Sequence, residues 1–199
     1  MDDELLQSIR TMADDADWEV REDAAGAIKR LNDKHFNTYL PVWREWINDP
    51  NPNIRRAVEV GLLRIPKVHY HEAFELLLPL LFDEDPYVRK NCGPFALSAV
   101  AYRNPEHAFK RFGELLESEN KNMRWNIAAC LGVMFGMRYP EHSIPLLAKV
   151  AKDKRRFVWR AAASSLIKLL RKYPEYKQEV YSWKDLDHVS DVVRQYVKE

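Results

Sequence analysis

Five times in this chain a polar turn leads into an aliphatic residue that is followed, in four cases, by arginine. The five copies are Asp17-Trp18-Glu19-Val20-Arg21, Asn51-Pro52-Asn53-Ile54-Arg55, Asp85-Pro86-Tyr87-Val88-Arg89, Lys121-Asn122-Met123-Arg124 and Arg156-Phe157-Val158-Trp159. The aliphatic anchors Val20, Ile54, Val88, Met123 and Val158 are separated by steps of 34, 34, 35 and 35 residues. A period in that range marks a chain built from stacked supersecondary units, each unable to bury its apolar face alone. This constrains the fold more than any single motif does.

Each anchor opens a stretch with apolar residues at helical spacing, and no stretch alternates at period two with β-branched enrichment. Asp17 is placed to cap a helix from Trp18 to about Leu31, ended by Asn32-Asp33-Lys34, and a second helix follows over about 36–47. Helices are expected again at 53–64, 70–82 and 87–101. In the second half Pro105-Glu106, Pro140-Glu141 and Pro174-Glu175 recur at steps of 35 and 34. Proline at the first helical position loses no hydrogen bond and the glutamate complements the helix dipole, so each pair opens the first helix of a repeat. Pro41, Pro79 and Pro145 fall inside first helices and should bend them without ending them. The expected fold is all-α: a right-handed α-solenoid of about five helix pairs in one domain over 1–199. Helices at 1–13 and 187–199 would cap it.

The 199 residues carry formal charge +1, unevenly spread: 12 Lys/Arg against 18 Asp/Glu over residues 1–99, and 19 against 12 over 100–199. A basic half can serve nucleic acid, or simply be a solvated helical surface. The sequence holds no run of about 18 apolar residues of the kind that crosses a membrane. The acidic start Met1-Asp2-Asp3-Glu4 is unlike a signal peptide, so a cytoplasmic location is expected; a monomer is expected as well. Cys92 and Cys130 lack metal-ligand spacing and read as buried free thiols, and His69-x-His71-Glu72 reads as surface. No nucleotide-binding or triad motif occurs, and neither metal nor cofactor is expected.

The pattern Asp-x-x-Val-Arg with a helix-bending proline resembles HEAT repeats. In such repeats the arginine after the anchor often pairs with a turn aspartate of the neighbouring unit. Arg21, Arg55, Arg89 and Arg124 fit that ladder, with Asp17, Asp49, Asp83 and Asp153 as partners. The next residue along each helix is about 100° further round. Those residues, Glu22, Arg56, Lys90, Trp125 and Arg160, would then face a concave groove suited to a phosphate backbone and an unstacked base, with Trp159 as a second aromatic surface. Trp125 and Trp159 are equally readable as packing between repeats. Glu59, one turn after Arg56, is the carboxylate expected to face the groove if a glycosidic bond is cleaved; the competing reading is an ion pair with Arg56.

Pro52-Asn53-Ile54-Arg55-Arg56-Ala57-Val58 after Trp43 and Trp46, then Asp85-Pro86-Tyr87-Val88-Arg89-Lys90-Asn91, looks like the bacterial DNA alkylation repair family over roughly 14–172. That resemblance implies duplex DNA held in the groove by Arg56, Lys90, Arg124, Trp159 and Arg160. It also implies excision of N3- and N7-alkylated purines, for which Glu59 and Trp125 are the candidates. A protein–protein adaptor without enzymatic activity is the alternative.

Overall fold

A computed structural model describes residues 2–197, which are helical with no strand among them. The chain divides between Asn104 and Pro105 into two compact units. Among the described residues no helix is long and apolar enough to cross a membrane.

In the first unit, α1 (Asp3–Ala13) packs on α2 (Trp18–Trp46), which packs on α3 (Pro52–Gly61). Then come α4 (Tyr70–Leu77), a 3-10 turn (Pro79–Phe82), α5 (Pro86–Asn91), a π-helical segment (Cys92–Leu97) and α6 (Ser98–Ala101). α2 is two helices run together. Only His35 departs from helical backbone, at φ −138° and ψ 29°, so the first helix runs slightly past its expected end at Asn32-Asp33-Lys34. Asn32 is buried: it accepts from Trp43 Nε1 at 2.8 Å and donates to the Gly61 carbonyl at 2.9 Å. One amide thereby joins both halves of α2 to α3.

The prolines behave in two ways. Pro41 and Pro145 lie within continuous helices, as expected. Pro79 ends α4. It cannot donate to the Glu75 carbonyl, which instead receives the Leu78 N–H at 3.3 Å, and the chain tightens into the 3-10 turn.

The second unit runs α7 (Pro105–Leu115), α8 (Lys121–Leu131), α9 (Met134–Arg138), α10 (Pro140–Ala151), α11 (Arg156–Lys172), a 3-10 turn (Pro174–Tyr176), α12 (Lys177–Tyr181) and α13 (Asp187–Tyr196). Here α8, α11 and α13 pack in succession and α10 backs α8 and α11. Phe135 anchors the core, stacked on Phe109 at 4.8 Å and edge-on to Phe112 at 6.0 Å. The expected terminal helices are α1 and α13; Met1, Lys198 and Glu199 lie outside the described residues.

The repeated motif is a capping device. Asp17, Asn51, Asp85 and Asn120 each accept the N–H two residues ahead, at 2.7–3.0 Å, supplying an acceptor that a helix N-terminus lacks. Two residues earlier, Asp15, Asp49, Asp83, Ser118 and Asp153 accept the N–H of the capping position at 2.8–3.2 Å. The anchors Ile54, Val88, Met123 and Val158 are buried behind the turns, each worth about 1.5–3 kcal/mol in apolar burial; Val20 is half-buried.

Gly61 is needed for the approach of α3 to α2. A Cβ there would lie 2.3 Å from Ile28 Cγ2, in a fully buried site. Gly61→Ala should cost about 1–3 kcal/mol, read as a lower denaturant midpoint with an unchanged slope.

Candidate nucleic-acid interface

Three of the arginines that follow the anchors close their own turns. Arg21 donates to the carbonyls of Asp15 and Ala16, Arg55 to those of Asp49 and Pro50, and Arg89 to those of Asp83 and Glu84. Among the described residues the ladder to the following repeat forms twice. Arg55 grips Asp83 with both arms of its fork, Nε at 2.6 Å and Nη2 at 2.7 Å, and Arg124 Nε lies 3.2 Å from Asp153. Asp49 is taken at 2.5 Å by Arg10 of α1, which the sequence reading did not include. The first turn acid in ladder register is Asp15; Asp17, which had been assigned that place, is the N-cap.

These contacts sort the expected site residues. Arg124 belongs to the ladder: its side chain is only 11% exposed, near Asp153 and Glu119, and it donates to the Lys149 carbonyl. It is not a free groove cation. Arg56 is half-buried, its guanidinium 5.3 Å from the Tyr87 ring, and it lines a cavity of about 20 Å³ together with Arg21, Glu22 and Asn53. Lys90 and Arg160 are exposed. Trp125 is half-buried. Trp159 is half-buried too, edge-on to His188 at 4.9 Å and with the Arg160 guanidinium 6.0 Å from its ring.

Glu59 does not face a groove. It is 1% exposed, and Oε2 is buried with no hydrogen-bond partner. Burial raises its pKa to about 8; the nearby Arg56 charge opposes this, and Asp83 and Glu22 reinforce it. The carboxyl therefore holds its proton at neutral pH. No ion pair with Arg56 forms, so neither reading of Glu59 from sequence describes it. In the other second helices the equivalent positions hold Ala25, Gly93, Ala128 and Ala163, all buried. A small-residue position has received a carboxyl.

The second unit carries functional candidates that the reading from Arg160 stopped short of. Along α11, Arg156, Arg160, Ser164, Lys168 and Arg171 are all exposed. Their spacing of four, four, four and three residues keeps them on one stripe. Extending the helical register beyond Arg160 would have found Lys168 and Arg171. Both thiols are buried and outside any disulfide, and burial pushes the Cys130 thiol up. His69 stacks on Phe36 at 4.6 Å, so it packs where a surface position was expected.

A family model described as HEAT repeats matches residues 3–92 and 75–168, which together span most of the chain. The chain belongs to the HEAT repeat family. The turn-closing arginines and capped second helices are thus features of a HEAT array, and the fold class is an α-solenoid of helix pairs. No curated protein matches this HEAT-repeat chain. Among solved structures it is similar to an engineered protein at 15% identity and TM-score 0.45, with 100% of this chain and 99% of that one covered. It is also similar to a second engineered protein at 15% identity and TM-score 0.43, covering 99% and 97%. A designed armadillo repeat protein matches at 11% identity and TM-score 0.38, covering 98% and 100%.

Proposed function

We propose that this HEAT-repeat protein binds duplex DNA through phosphate contacts from its second helices, in the manner implied by its resemblance to the DNA alkylation repair family. The observation that carries the reading is the α11 stripe of exposed Arg156, Arg160, Lys168 and Arg171 beside the half-buried Trp159. Lys90 on α5 is the exposed cation of the first unit in the same register as Arg160. Such cations displace condensed counterions from DNA, giving affinity that is independent of sequence and steep in salt.

Base excision is not part of the proposal. An oxocarbenium-like transition state needs a carboxylate that touches the sugar or its water. Glu59 is enclosed and protonated at neutral pH. The reading is therefore of a DNA-binding member without glycosylase chemistry.

The test is a salt titration of a labelled duplex, with and without an N7-methylguanine. The chain should bind both. The Lys90→Ala/Arg160→Ala double variant should bind about tenfold more weakly and flatten the log–log salt slope by about 2. An unchanged slope would overturn the assignment. Failure to bind duplex at low salt would favour the adaptor reading, and base release by the parent chain would overturn the reading of a member without glycosylase chemistry.

A further inference from the structure

Between α11 and α13 lies a groove of about 280 Å³ whose α11 wall carries Arg160, Ser164, Lys168 and Arg171. The facing wall is Val192 and Tyr196 of α13, and among the described residues no carboxylate lines it. Arg160 and Lys168 are eight residues apart, about 12 Å along the helix axis. The Tyr196 side is held by two bonds to carbonyls at the end of α13: Arg171 donates to the Tyr196 carbonyl at 3.0 Å and the Tyr181 hydroxyl to that of Val197 at 3.3 Å. Tyr196 itself is 51% exposed. A second groove, of about 420 Å³, continues past Arg171 and Tyr196 and adds Lys177.

A duplex shields its bases, and its phosphates make no use of an aromatic or apolar wall. A row of cations opposite an open ring is what an unpaired nucleotide strand requires: charge along the backbone and a face for the base. We infer that the α11–α13 groove binds single-stranded nucleic acid, with phosphates along Arg160, Lys168 and Arg171 and a base stacked on Tyr196. This rests on the nucleic-acid reading above and places an unpaired strand, such as the overhang of a bound duplex, in this groove. Ser164 offers a hydroxyl donor to the same backbone.

The experiment uses the full chain and three labelled probes: a blunt duplex, the same duplex with a six-thymidine overhang, and an oligothymidine. The parent should bind the overhang duplex more tightly than the blunt one. Tyr196→Leu keeps an apolar side chain but removes the ring, and should weaken oligothymidine binding about tenfold while leaving the blunt duplex unaffected; Tyr196→Phe should retain binding. Lys168→Ala should lower the oligothymidine salt slope by about 0.7. Blunt-duplex binding with no response of the overhang to Tyr196→Leu would overturn the groove and leave the duplex reading standing. Binding of neither nucleic acid would overturn both. Displacement of oligothymidine by a peptide of alternating aspartate and leucine, at lower concentration than by unlabelled oligothymidine, would overturn it in favour of a protein partner.

Discussion

Glu59→Gln should stabilise the protein by about 3 kcal/mol at pH 7, and the gain should disappear below about pH 4. The sign follows from linkage. The folded-state pKa is raised to about 8, against 4.5 for the free side chain. Folding therefore favours the protonated form. Below pH 4.5 folded and unfolded chains both carry the proton and nothing is lost. As pH rises from 4.5 to 8 the unfolded chain ionises first, and stability falls by about 1.4 kcal/mol per pH unit to a loss of about 5 kcal/mol above pH 8. Glutamine keeps the shape and does not titrate, so the gap between variant and parent should open across that window. Urea unfolding at pH 4, 6 and 8 reads it directly. A gap that stayed constant with pH would show that Glu59 has the same charge in both states.

Asp83→Ala should destabilise the first unit by about 3–5 kcal/mol. The Asp83 side chain is 6% exposed and receives both arms of Arg55, itself 13% exposed. It also accepts the Asp85 N–H at 2.8 Å, ahead of the cap of α5. Removing the carboxylate leaves an enclosed guanidinium unpaired, which costs far more than the pair contributes by itself. A guanidinium stays protonated in proteins even without a carboxylate partner, so Arg55 keeps its charge in the variant. Asp83→Asn retains the acceptor for Asp85 and should lose less. Asp83 reinforces the raised pKa of Glu59 as well, so in Asp83→Ala the Glu59 transition should move to lower pH. Thermal unfolding with the double variant Asp83→Ala/Glu59→Gln checks the coupling. A loss under about 1 kcal/mol for Asp83→Ala would place the pair with exposed ion pairs.

Legibility in the sequence followed the range of the interaction. The period, the helix pairs and the Asp17 cap could be read from neighbouring residues, because capping and helical register act over a few positions. The same holds for the prolines that open α10 and the turn at Pro174. Pro41 and Pro145 could be read as internal. Pro79 could not, because its outcome depended on which N–H took the Glu75 carbonyl.

What only the tertiary structure decided was which groups meet. Asn32 looks like a helix terminator and is a buried link between Trp43 and Gly61. Asp49 is expected to pair with a ladder arginine of a neighbouring repeat, yet Arg10 reaches it. Arg124 could have faced the groove or the ladder, and proximity to Asp153 places it in the ladder. Glu59 lies one turn from Arg56, where an isolated helix would pair them across water. Packing of α2 and α5 against α3 encloses the carboxyl and leaves it a proton. Likewise the α11 stripe is written in its own spacing, but only the docking of α13 sets Tyr196 opposite it. The local code specifies the repeat, because each turn satisfies its own backbone. The site is specified by desolvation and by competition among charges, which depend on every helix that packs nearby.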